Sequence, residues 1–456
     1  MNPIPQQNSW SQVPPTPRPV APPPPTNPPP DRAKNNRVVA IILGSCGAFF
    51  LALVGLYFAA QNAPAKIVTP VRAPVPKQNG FDALKVAAEK LVRQKEVGDA
   101  AHSKPKKNWT IEQKRALVQA NDAAINDAVA SLRLPYLETN RVTSSSTAFP
   151  YYAKFRAVVR TLTLAGNVAW EEGNHRLAAT RYMDAVTIGR RVPHNTALIG
   201  RLVGIACEYI GRAPVWKRLD TMDADTAAYC LTRLDAMQPG RLPFASTLAE
   251  EKWTLARMIE EIYNRPESFD ESVGGADGDS KDDTTAVFRA YTKVVPKSVA
   301  VDKLNEQMDK IIAQSKKPFP QSKDELPESR EILTRILIPV MYPARLKFVA
   351  NETGDNLLRT ALALRVYRLR NGKHPAALSD LVGAKLLPAV PSDPFALPGQ
   401  SLKYKPLATG KYLLYSIGPD SVDDSGKGLA TVKNGKTVRF IEAESKGDIV
   451  AGWYAY

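Results

Sequence analysis

The sequence predicts a mainly α-helical protein with a single transmembrane helix, an extracytoplasmic helical-hairpin body and a small C-terminal α+β module. Three observations predict it. Residues Val38 to Ala60 read VVAIILGSCGAFFLALVGLYFAA and carry no charge. From Phe81 to Leu337 apolar residues recur at three- and four-residue spacing, with almost no strand alternation. Short alternating segments appear only beyond Gly372.

The apolar stretch comes first in the argument. As a helix its residues would rise about 34 Å, against a hydrocarbon thickness of about 30 Å. Backbone groups in lipid must be satisfied within the segment, which requires a helix. Ahead of it lie 13 prolines within the first 30 residues. Such a composition cannot bury enough apolar surface to offset its ordering entropy, so residues 1–37 are expected to form a disordered tail. Arg32, Lys34 and Arg37 crowd the N-terminal flank, whereas Lys66, Arg72 and Lys77 stand further from the other end. That asymmetry predicts a cytoplasmic N-terminus, an extracytoplasmic body and a cell-membrane location. The bilayer is therefore an expected partner.

Residues 61–80 read as a linker stiffened by Pro64, Pro70, Pro74 and Pro76, holding the body away from the membrane. The α-helical body is expected over 81–343. Phe81, Leu84, Ala88 and Leu91 mark its first apolar face, and Thr110 with Gln113 forms a capping box. Helical patterns follow at about 152–171, 175–191, 195–212, 224–237 and 246–263. Residues 266–285 hold seven acids and three glycines and read as a flexible acidic loop. Lys281, Asp282 and Phe288 stand where an EF-hand needs a ligand, a glycine and a glutamate, so that motif is rejected. Residues 344–456 are expected to form a long helix, ended by Gly372, and a small antiparallel β module.

The formal net charge of +16 invites a nucleic-acid reading. The cations are interspersed with acids, however, and Lys104, Lys106 and Lys107 form the only tight basic knot outside the tail. Nucleic acid is not an expected partner. Cys46 falls in the apolar stretch; Cys207 and Cys230 sit among apolar helix positions, as buried thiols or as a disulfide. The four histidines make no paired-ligand spacing, and no nucleophile elbow, P-loop or dinucleotide fingerprint occurs. Glu250-Glu251 and Glu260-Glu261 read as solvated surface acids. No catalytic residue is expected.

Two segments carry resemblances. Gly166, Gly173, Ala178, Tyr182 and Ala185 stand at tetratricopeptide spacing, so residues 159–190 weakly resemble one such repeat. The second lies at about 364–425. Tyr367, Arg368, Gly372 and Pro375 are followed by Leu378 and Leu381, by Leu387-Pro388, by the Asp393-Pro394-Phe395 turn, by LKYKP and by YLLYSIGPDSVDD. This run resembles the C-terminal module of type II secretion major pseudopilins. The resemblance implies a hairpin covering the end of a helix. It also implies a calcium loop, for which Asp420, Asp423 and Asp424 are the matching residues. The overall layout resembles a class of uncharacterised bacterial single-pass membrane proteins. The expected function is a membrane-anchored envelope interaction or scaffold protein with a protein partner. An envelope hydrolase with an unrecognised site and a calcium-stabilised structural module are the alternatives.

Overall fold

Short polar side chains set the helix starts. Asn79 Oδ1 accepts from the Phe81 amide at 3.1 Å and starts α1 (Gly80–Glu89). Thr110 and Gln113 reciprocate at the start of α3 (Ile111–Gln119), the capping box the spacing predicts. Between them lies α2 (Gln94–Ala100), and after them α4 (Asp122–Ser131). The long helices follow: α5 (Pro150–Glu171), α6 (His175–Arg191), α7 (Leu198–Arg218), α8 (Ala224–Ala236) and α9 (Phe244–Asn264). Asn174 caps α6 through the Leu177 amide, and Asp223 caps α8 through Thr226. Then come α10 (Lys297–Ser315), α11 (Ile332–Leu337), α12 (Met341–Asn371) and the one-turn α13 (Ser379–Gly383). This computed structural model describes residues 50–102, 105–141, 149–265, 289–321, 331–408, 410–433, 436–438, 441–442 and 445–452.

The membrane expectation is corrected. Among the described residues no helix is long and apolar enough to cross a membrane. The helical stretch among the described residues there covers 50–61. The transmembrane element of the fold class, and the single-pass location and topology built on it, are therefore not supported. Residues 38–49 of the apolar stretch, the tail at 1–37 and the acidic loop at 266–285 lie outside the described residues.

The chain falls into two units, Met1–Ala60 and Gln61–Tyr456. In the second unit the proline-rich linker is a strap bound along the body. Ala65 and Ile67 pack on the core, and the Lys66 carbonyl accepts from Asn305. Thr69 Oγ1 accepts from Trp253 Nε1 at 3.2 Å, and the Pro70 carbonyl accepts from Arg141 at 2.7 Å. Arg72 closes the strap with a two-pronged ion pair to Glu250 at 2.9 and 2.7 Å.

Two main cores organise the second unit. In the first, Phe81 of α1 meets Tyr136, Tyr151 and Phe155 edge-on at 5.3 to 6.0 Å, with Ala124 and Ala128 of α4 filling in beside them. The larger core runs through α6 to α12 and into the β module. Its axis is α12, whose predicted apolar positions Leu346, Val349, Ala350, Leu357, Ala361 and Leu364 are all buried. So are its polar positions Asn351, Thr353, Asp355, Asn356, Arg359 and Thr360, because other elements cover it on several sides.

Close backbone approach holds the hairpins. A Cβ on Gly166 of α5 would stand 2.4 Å from the Tyr182 ring of α6. On Gly204 of α7 it would stand 2.7 Å from the Gly189 carbonyl of α6. Replacing Gly204 with valine therefore forces α6 and α7 apart. We expect a loss of about 1–3 kcal/mol or more, read as a fall in the urea midpoint; an unchanged midpoint would show that this contact can relax.

Gly372 ends α12 with φ +75. The β module pairs β1 (Lys403–Pro406) with β2 (Tyr412–Ser416) antiparallel, Tyr404 opposite Leu414. The last strand, β5 (Ile449–Val450), adds to the free edge of β2, and β3 (Thr431–Lys433) pairs with β4 (Lys436–Val438) separately. Tyr404 Oη donates to the Pro375 carbonyl at 2.8 Å and pins the hairpin to the turn after α12. Asp393 is buried and accepts from Phe395 N, Ser416 Oγ and Ile417 N, so the Asp-Pro-Phe turn locks onto β2.

Candidate functional site

A cleft of about 560 Å³ opens between the α2–α3 connection, α5 and α7. Its floor is one face of α5. Arg160, Thr163, Asn167 and Glu171 follow one another at three- and four-residue steps, which places them on one side of the helix. One wall is α7, through Tyr209, Ile210, Ala213, Pro214, Lys217 and Arg218. The other is formed by Gly98, Ala101, His102, Pro105, Asn108, Trp109 and Lys114.

Asp99 shapes that second wall. It accepts from the Lys106 amide at 2.7 Å and from Trp109 Nε1 at 2.9 Å. These hydrogen bonds hold its carboxyl below the usual range. Lys107 Nζ lies 3.7 Å from the Trp109 ring centroid.

The charge of the cleft is one-sided. Lys114, Arg160, Lys217 and Arg218 line it, and Glu171 is the one carboxylate among its lining residues. Lys114 pairs with Glu171 at 2.7 Å, leaving the other three cations to set the field. The Arg218 guanidinium lies 5.4 Å from the Trp170 ring and 5.5 Å from that of Tyr182, and its buried Nε has no hydrogen-bond acceptor. Pro214 stands inside α7 and has no N–H to offer, so it leaves the Ile210 carbonyl without its usual helical donor. Tyr182 Oη donates to Asn167 Oδ1 at 3.0 Å, which fixes the Asn167 amide with its NH₂ group still to be used.

The residues singled out in the sequence are placed elsewhere. Asp420 accepts from the Val422 and Gly447 amides. Asp423 accepts from Tyr415 Oη and the Ser425 amide and lies 3.4 Å from Lys403. Asp424 donates its amide to Asp448, a buried residue the sequence reading did not single out and around which the loop is built. Among the described residues, no group of three or more His, Cys, Asp or Glu stands where it could hold a metal ion. Cys207 and Cys230 are buried free thiols in different cores, both pushed up to about 12 by burial.

Glu250 and Glu251 are not solvated acids. Both are buried: Glu250 is bridged by Arg72 and Arg141, while Glu251 Oε2 accepts from the Leu198 amide and so caps α7. Burial pushes the Glu251 carboxyl up to about 6. Glu260 pairs with Arg257 on its own helix, and Glu261 with Arg265 just beyond the helix end.

No known family and no curated protein or solved structure matches the chain. The cleft must be read from its own chemistry. The polar stripe of α5 was visible in the sequence, but a stripe of that kind also marks any solvated helix face.

Proposed function

We propose that the protein is an interaction or scaffold protein, and that the cleft between α5 and α7 receives an acidic segment of a partner polypeptide. The observation that carries this reading is the cleft's lining: four cations to one carboxylate, beside two aromatic side chains and a helix carbonyl freed by Pro214. A polypeptide uses all of these. Its acidic side chains meet Arg160 and Lys217, its apolar side chains meet Trp109 and Tyr209, and its backbone N–H can donate to the Ile210 carbonyl. Phosphate groups themselves offer the carbonyl no donor, so a nucleic acid would have to reach it with a base N–H or a ribose hydroxyl. The helical-hairpin architecture, with its weak tetratricopeptide resemblance, and the pseudopilin-like run at 364–425 are in keeping with a role in protein assembly.

The test is fluorescence anisotropy with a labelled octapeptide of alternating Glu and Leu, against its Lys-and-Leu counterpart and a labelled poly-uridine octamer. The acidic peptide is expected to bind in preference to both. The double variant Arg160→Glu, Lys217→Glu should weaken it at least tenfold, or about 1.4 kcal/mol. Equal binding of acidic and basic peptides, or an unaffected double variant, would remove the proposal. Preference for the oligonucleotide would replace it with a nucleic-acid reading.

A further inference from the structure

A second cavity, of about 690 Å³, lies at the seam between the helical body and the C-terminal module. It is bounded by the chain entering α9, the end of α10, one face of α12 and the loop 392–400. Its walls differ sharply in character. On one side stand Phe244 and Phe348, both largely buried, with ring centroids 5.4 Å apart and planes tilted by 30°, and Val349 beside them. Around them stand Arg241, Lys316, Lys317 and Arg345.

Two carboxylates share the lining. Asp393 is consumed by the Phe395, Ser416 and Ile417 donors already described. Glu352 is the remaining acid, and burial pushes its carboxyl up while Arg241 opposes that shift. The Arg241 side chain is largely buried, at 12% exposed. Its Nη2 faces Asp355 Oδ2 at 3.2 Å, yet neither its buried Nε nor its buried Nη2 has a hydrogen-bond acceptor of proper geometry. Leaving buried donors of a charged group unmet costs about 1–3 kcal/mol or more. Arg345 is anchored by Nη2 on the Lys317 carbonyl at 2.8 Å and lies 5.7 Å from the Phe319 ring, so its guanidinium is held in place at the cavity wall.

We infer that this cavity binds a small organic anion, a carboxylate carried on a flat apolar body, with Arg241 and Arg345 taking the charge and Phe244 and Phe348 the apolar face. A guanidinium fork matches a carboxylate in two parallel hydrogen bonds. Apolar matter fits a lining that carries two aromatic rings. A volume of this size suits a small-molecule ligand. Glu352 is the natural competitor, since its own carboxylate occupies the same positive field. This site is separate from the α5–α7 cleft in lining and in the ligand it takes.

The experiment is isothermal titration of the full chain with 2-naphthoate at pH 7.5, with 2-naphthamide as the uncharged isostere. Naphthoate is expected to bind at least tenfold more tightly than the amide. Glu352→Gln should tighten naphthoate severalfold by removing the competing charge. Arg345→Gln should weaken it at least tenfold. The two variants shift binding in opposite directions, so a general loss of folding cannot imitate the result. Absence of naphthoate binding at millimolar concentration would overturn the inference. So would equal binding of acid and amide, or a Glu352→Gln variant that binds naphthoate no more tightly than the native chain.

Discussion

Replacing Asp355 with asparagine is expected to destabilise the protein by about 3–5 kcal/mol, the range found when one partner of a buried ion pair is removed. Asp355 is wholly buried on α12. Arg190 of α6 reaches its Oδ1 at 2.5 Å, and Gln238, just beyond α8, donates to Oδ2 at 2.7 Å. Arg241 stands at 3.2 Å and Arg212 of α7 at 3.6 Å. The same arginines bind a second layer. Arg190 pairs with Glu208 at 2.6 Å, Asn351 donates to Glu208 at 3.0 Å, and Arg212 donates to the Asn351 carbonyl at 3.1 Å. Three helices and the turn after a fourth thus converge on one carboxylate.

Burial alone would push the Asp355 carboxyl up; the three guanidinium groups outweigh it and hold it well below the usual range. A depressed carboxylate contributes stability above its unfolded value, near pH 4, and loses it as pH falls through the folded value. The asparagine variant should therefore be weaker than the native protein at neutral pH and lose that difference in strong acid. Urea denaturation at pH 7 reads the full difference, and at pH 3, just below the unfolded value and above the folded one, the difference should have begun to shrink. A loss below about 1 kcal/mol at pH 7 would show that water or rearranged acids compensate the arginines. A companion variant, Arg190→Met with Asp355→Leu, should be less harmful than the two single changes together, because it removes charge in pairs.

That network marks where sequence reasoning stops. Helix periodicity is a local signal, so the patterns at 175–191 and 224–237 could be read from neighbours three and four residues away. The Arg190–Asp355 pair spans 165 residues, and nothing near either position announces the other. On sequence α12 reads as a helix with one apolar side; the structure buries its polar positions too, because partners from α6, α7 and α8 supply the charges. Glu250 and Glu251 were misread for the same reason. Two adjacent acids look solvated until a strap carrying Arg72 and the amide end of α7 are laid on them. The β1–β2 hairpin was legible because alternation and the Asp393-Pro394 turn are both local. The third strand was not, since two residues at 449–450 carry no period at all. The cleft lay between these cases: its α5 stripe was in the sequence, while the opposing cations of α7 and Trp109 depend on tertiary approach.

Glu138 should make the protein's stability fall as pH rises through neutrality. It lies in the described segment ahead of α5, is 2% exposed, and accepts at Oε1 from the Asn140 amide at 3.0 Å and Tyr151 Oη at 3.2 Å. Its Oε2 is buried and has no partner. Burial pushes its carboxyl up to about 7; the two hydrogen bonds and the Arg72 charge pull the other way without cancelling it. The folded state therefore binds this proton more tightly than the unfolded chain does. The stability so gained is fully present below about pH 4.5 and is lost as pH rises through 7. Across that window the change reaches roughly 3 kcal/mol, because each tenfold gain in proton affinity on folding is worth about 1.4 kcal/mol. Glu251, raised to about 6, adds a smaller change of the same sign. In a Glu138→Gln variant the amide oxygen keeps both donors while the charge is gone. Its urea midpoint should match that of the native protein near pH 5, exceed it at pH 8, and show a flatter profile between. Coincident profiles for variant and native protein at pH 8 would mean that Glu138 is ionised at no cost there, and would assign any remaining slope to Glu251.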